Sequence, residues 1–126
     1  MPHLVLTGPL DLDRAASGLD PAVVRWGRSV LKTGGAWVRS DDQALLVEGV
    51  VVELSRPLHP VALVARRDGD IVVRLWPIVP VERTRAVQRW LTIVARGLQV
   101  LGCGPVTETN IPADVLADLD LDIDLD

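Results

Sequence analysis

Between Ala36 and Trp76 the chain repeats one pattern, and that pattern dictates most of what it can fold into. Four apolar runs, Ala36 to Ser40, Ala44 to Glu53, Val61 to Arg67 and Ile71 to Trp76, are rich in Val, Leu and Ala and are separated by short polar connections. Such runs read as β-strands. Asp41-Asp42-Gln43 has the length of a hairpin connection, and Ser55 to His59, bracketed by Pro57 and Pro60, is a longer turn. Asp68-Gly69-Asp70 contains the Asp-Gly pair that tight hairpins favour. Hairpins in series make an antiparallel meander. Gly49, inside the longest run, marks a bulge or bend.

The flanks supply a strand and helices. His3 to Thr7 is a short apolar strand stopped by Gly8-Pro9, and Asp11 to Ser17 is a short helix ended by Gly18. Asp20 as N-cap and Pro21 at the first helical position predict a second helix. It would carry Val23, Val24, Gly27, Val30 and Leu31 on one side, gather Arg25, Arg28 and Lys32 on the other, and end at Gly34-Gly35. After Pro77 and Pro80 comes the longest helix, about Val81 to Leu101, with Val87, Trp90, Leu91, Val94, Leu98 and Leu101 on its apolar face. Arg85, Arg89 and Arg96 line the opposite side as a basic stripe, Glu82 is placed to pair with Arg85, and Gly102 suits a C-cap. Thr107 to Ile111 reads as loop with a brief extended stretch, and Pro112 to Ala117 as one or two helical turns.

The fold class is therefore α+β: an N-terminal strand, one or two helices, a four-stranded antiparallel meander and a long C-terminal helix packed on the sheet. Over residues 3–102 this order resembles the TBP-like and helix-grip folds. The resemblance implies a curved sheet wrapped round the long helix. Folds of that group serve DNA binding, apolar-ligand carriage and protein contact alike, so the likeness leaves function open.

At 126 residues the chain suits one domain, and 48% apolar residues are enough for a core. Four Trp with no Phe or Tyr mean a core of Val, Leu, Ile and Ala. Arg outnumbers Lys twelve to one, a bias of GC-rich bacterial genomes. Residues 1–104 are expected to form the body and residues 105–126 a C-terminal extension.

That extension ends in a strict alternation, Asp118-Leu119-Asp120-Leu121-Asp122-Ile123-Asp124-Leu125-Asp126. In an extended chain all five aspartates share one face and all four aliphatics the other, as in a strand awaiting a sheet edge. Residues 114–126 carry a charge of −6, while residues 1–113 carry +2. The acidic tail could dock on a basic surface, its own or a neighbour's, such as the Arg85, Arg89, Arg96 stripe or Arg25, Arg28 and Lys32. The same charge balance argues against nucleic-acid binding.

Chemistry-bearing residues are few. His3 and His59 are the only histidines, and His59 sits in a Pro-Leu-His-Pro turn. Cys103 is the single cysteine, which excludes an internal disulfide and suits a reducing compartment. Its Gly-Cys-Gly setting offers no basic neighbour to lower its pKa. Two His and one Cys do not make a structural zinc site, and aspartates in line on a strand do not wrap a calcium ion. Residues 27–34 contain Gly, Lys and Thr but not in phosphate-loop order. Glu48 and Glu53 show no spacing that pairs them as catalytic carboxylates.

One sheet surface is more suggestive. Trp37 and Arg39 share a face, as do Arg74 and Trp76, with Glu48 and Arg66 as candidate neighbours. Trp and Arg are favoured anchors of protein interfaces.

The sequence is thus expected to encode a non-catalytic bacterial interaction module: an adaptor, accessory or self-assembling subunit. Trp37, Arg39, Arg74 and Trp76 would make contacts together with Leu119, Asp120, Leu121, Asp122, Ile123, Asp124 and Leu125 of the tail. The partner would be a protein or a second copy, without cofactor, metal, nucleic acid or membrane. The alternative expectation is a small apolar ligand held between sheet and long helix. The N-terminus lacks a signal-peptide pattern and no apolar run is long enough to span a bilayer, so a cytoplasmic location is expected.

Overall fold

The meander pattern and the amphipathic helix together produce a sheet with one covered face. The structure, a computed structural model, describes residues 1–41 and 43–125. Asp42 of the expected hairpin connection and Asp126 of the tail lie outside the described residues. In chain order the elements are β1 (His3–Thr7), α1 (Leu12–Gly18), β2 (Ala22–Trp26), β3 (Ser29–Val38), β4 (Ala44–Glu53), β5 (Arg56–Leu58), β6 (Val61–Arg67), β7 (Asp70–Leu75), α2 (Arg85–Val100), β8 (Val106–Thr109) and α3 (Ala113–Leu116). The strands form one sheet in the order β2-β3-β4-β6-β7-β1-β8, and β5 pairs with the far half of β4. Every pairing between these strands is antiparallel.

The expected second helix over 20–34 is instead a β-hairpin, β2 to β3. Trp26 pairs with Ser29 across a two-residue turn, and Gly27 takes the positive φ, 59°, that such a turn needs. Val23, Val24, Val30 and Leu31 are spaced acceptably for a helix, but they are β-branched or aliphatic pairs either side of a Gly. Pairing β3 along the whole of β4 buries Leu31 and Thr33 in a way an isolated helix could not. Gly34-Gly35 does not end a helix; it forms the irregularity in β3 opposite Glu48.

Helix α2 is set by Thr84, whose hydroxyl accepts from the Val87 N–H at 3.2 Å and donates to Glu53 at 2.6 Å. The helix therefore begins at Arg85, four residues later than the periodicity suggested. Gly102 follows its end with φ 105°. Val87, Trp90, Leu91, Val94 and Leu98 are fully buried against the inner residues of the sheet, among them Leu4, Leu6, Leu45, Val47, Val64 and Val73. Gly49 is required here: a Cβ would lie 2.3 Å from the Trp90 ring. The indole N–H donates to the Lys32 carbonyl at 3.1 Å, so Trp90 fills the core without leaving its polar atom unpaired.

Within the expected extension, β8 joins the sheet beside β1, and Val106, Ile111, Val115 and Leu116 belong to the same core as the body. No helix among the described residues is long and apolar enough to cross a membrane.

Candidate functional site

The register of the sheet assembles the outer face, the one turned away from α2, into three rows. The central row is Trp37, Leu46, Leu63, Arg74 and His3, from β3 across to β1. On one side lie Glu48, Val61 and Trp76, with Glu48 opposite Gly34-Gly35. On the other lie Arg39, Ala44, Ala65, Val72, Val5 and Glu108. Trp37, Arg39, Arg74 and Trp76 thus share one surface.

Arg66 belongs elsewhere. Strand parity places residues 63, 65 and 67 outward, so Arg66 turns the other way and donates to the Leu10 carbonyl at 3.4 Å.

Ala44, Leu46 and Leu63 form a small apolar cluster of their own on this face, with Val61, Ala65 and Trp76 against it. Leu46 and Leu63 are only 4% and 6% exposed, whereas Trp37 is 44% exposed. Arg74 is exposed and has no ion-pair partner among the described residues. Arg39 pairs with Asp41 at 3.1 Å, and Glu108 lies 3.7 Å from His3 and 3.9 Å from Arg67. Two open depressions flank the cluster. One, about 560 Å³, lies among His3, Ala65, Arg67, Val72, Arg74 and Glu108. The other, about 490 Å³, is bounded by Lys32, Gly34, Glu48, Val50, His59 and Val61.

The arginine stripe has another occupation. Arg89 is 5% exposed, and its guanidinium donates to the carbonyls of Val115 at 2.8 Å and Ala117 at 2.5 Å. Burial holds its pKa below the usual arginine value, and its Nε has no hydrogen-bond partner among the described residues. Arg85 pairs with Asp114 rather than Glu82, and the hydrogen bond holds the Asp114 carboxyl below its ordinary range. Glu82 instead makes a two-pronged pair with Arg56, at 2.8 and 2.9 Å, because helix α2 starts after it. Both Arg85 and Arg89 lie over the Trp26 ring, 5.8 and 5.5 Å from its centre. Arg96 approaches Asp120 at 3.8 Å. The stripe therefore carries the chain's own C-terminal segment along α2. Sequence spacing put the three arginines in line, but only the return of residues 112–117 makes Arg89 a buried residue.

The tail is a strap more than a strand. Asp118 adopts φ 60°, which breaks the alternation at its start. Leu121 packs against the core. The Gln99 side chain then grips the Asp122 backbone at both ends, donating to its carbonyl at 2.8 Å and accepting from its N–H at 2.9 Å. Ile123 makes a single parallel bridge with Val106. Leu119 is half-buried, Ile123 and Leu125 remain exposed, and Asp124 contributes its backbone N–H to the Val106 carbonyl.

The other candidates show no assembled chemistry. Cys103 is buried, donates to the Thr7 carbonyl at 3.3 Å, and burial pushes its thiol up, which disfavours the nucleophilic thiolate. His59 is exposed between β5 and β6. Among the described residues, no group of three or more His, Cys, Asp or Glu is placed to hold a metal ion. In comparisons with known proteins, no family model, no curated protein and no solved structure matches this chain.

Proposed function

We propose that this chain is a non-catalytic protein-interaction module whose contact surface is the outer sheet face around Trp37, Arg39, Arg74 and Trp76. The observation that carries the reading is the half-exposed Trp37, in register with Leu46, Leu63 and Arg74, which among the described residues has no ion-pair partner and lies on a face that no helix covers. An exposed indole beside buried aliphatics and an exposed guanidinium is the composition of an interface hot spot. The acidic tail serves the same module as a brace, and its exposed apolar side chains, Ile123 and Leu125, are a secondary contact at most.

In finer terms the fold is read as a helix-grip arrangement, supported by β1 lying beside β7 and by α2 touching β1, β3, β4 and β7. The ligand-carrier alternative gains nothing from that likeness, because Trp90, Leu91, Val94 and Leu98 fill the space between sheet and helix.

The test is photo-cross-linking in cells with a reactive amino acid at position 39, on the outer face, and at position 100, on the exposed side of α2. A discrete protein adduct from position 39 with none from position 100 supports the reading. Absence of an adduct from position 39, or equal adducts from both, contradicts it.

A further inference from the structure

We infer that the partner on the outer face is a second copy of this chain, packed face to face about a two-fold axis that runs along the strands between β4 and β6. This rests on the outer face being a contact surface and adds the identity of the occupant.

The register supplies the argument. Counted outward from the β4/β6 boundary, Leu46 and Leu63 stand first on either side, and Trp37 and Arg74 stand second. The two-fold operation lays each row on its own reverse. Leu46 of one copy then meets Leu63 of the other, and Trp37 meets Arg74. An arginine with no anion among the described residues gains an indole face. The depression of about 560 Å³ beside Arg74, Val72 and His3 lies where Trp37 of the second copy would enter.

The flanking rows obey the same operation. Trp76, just past the end of β7, is second from the axis, so its counterpart position on β3 is the Gly34-Gly35 irregularity, which offers no side chain. That position borders the depression of about 490 Å³. Trp37 and Trp76 are thus each opposed by a depression. A face selected for an unrelated partner has no reason to complement its own reverse in two places, whereas a two-fold interface must.

Strand spacings of about 4.8 Å and same-face spacings of about 6.7 Å make the four-strand, three-row patch from β3 to β7 roughly 19 by 20 Å. That is at the low end for specific association, so the dimer dissociates on dilution.

The experiment is sedimentation velocity on the full chain from micromolar to millimolar concentration, with Trp37→Arg, Arg74→Trp and the double variant. Circular dichroism and urea unfolding establish that each is folded. Trp37→Arg sets arginine against arginine and is expected to weaken association by roughly tenfold or more. Combining it with Arg74→Trp restores the opposed pair and is expected to restore the dimer. A folded chain that stays monomeric at every concentration overturns the inference, as does a dimer that Trp37→Arg leaves unchanged or that the double variant fails to recover. A monomeric chain that still cross-links to a different protein from position 39 retains the interaction module and removes only the self-pairing.

Discussion

The two faces of one sheet are built from the same strands by the same alternation, yet they end in different states. The inner face meets α2 and is closed: Trp90 lies in the recess that Gly49 leaves, and Val87, Leu91 and Leu98 are fully buried. The outer face carries its own apolar cluster but leaves Trp37 half exposed and Arg74 unpaired among the described residues. The inner face spends its apolar surface on folding. The outer face buries Leu46 and Leu63 but leaves Trp37 half exposed beside them, and that is the surface proposed to meet another molecule.

The contrast can be broken by substitution. Trp90→Ala should destabilise the fold by about 3–5 kcal/mol, since it opens a cavity between sheet and helix. Urea unfolding measures it, and a loss under about 1 kcal/mol would mean that the inner face is not the core. Arg89→Ala comes next. It strips the Val115 and Ala117 carbonyls of a charged donor and should cost about 2–3 kcal/mol. Limited proteolysis should then cut within residues 112–125 before the sheet opens.

Gln99→Ala sharpens the picture at the strap. Losing both hydrogen bonds to Asp122 should cost about 1 kcal/mol locally and speed amide exchange at Asp122 while leaving the central strands unaffected.

Acid acts in the same direction on a smaller scale. The carboxyls of Asp114 and Glu82 are held below their ordinary pKa by Arg85 and Arg56. Their stabilising effect is present above the unfolded-state pKa and is lost as pH falls through the depressed folded-state values. Both pairs are exposed, so the effect is modest. Unfolding midpoints should be flat near neutrality and fall in the acid range, and Arg56→Gln should shrink that fall. On the outer face Trp37→Ala should change stability by no more than about 0.5 kcal/mol.

Where local pattern and tertiary packing agree, the sequence was legible. Val61 to Arg67 and Ile71 to Trp76 with Asp68-Gly69 between them became β6 and β7, and both turn residues take positive φ as that pair allows. The apolar stripe of α2 was readable from spacing alone. Residues 20–34 were not, because Asp20-Pro21 is a genuine helix-start signal and paired valines fit either period. The decisive feature was a two-residue turn at Gly27-Arg28, one glycine against a longer pattern. The Trp37, Arg39, Arg74 and Trp76 surface followed from strand parity, whereas Arg66 was placed against it. The burial of Arg89 had no local signal, since it depends on a segment that returns from more than twenty residues away. The tail's alternation suggested a strand seeking a sheet edge, its own or a neighbour's; Asp118 turns the chain, Gln99 holds Asp122 to α2, and Ile123 makes a single bridge to Val106 of β8.

The most direct measurement compares the outer face with the tail. Solution mass is followed against concentration for the full chain, for Trp37→Arg and for Leu125→Arg, a charge placed at a half-exposed tail position. The expected result is concentration-dependent dimerisation that Trp37→Arg removes and Leu125→Arg leaves intact. Loss of the dimer in Leu125→Arg with its retention in Trp37→Arg would contradict it and assign the contact to the tail.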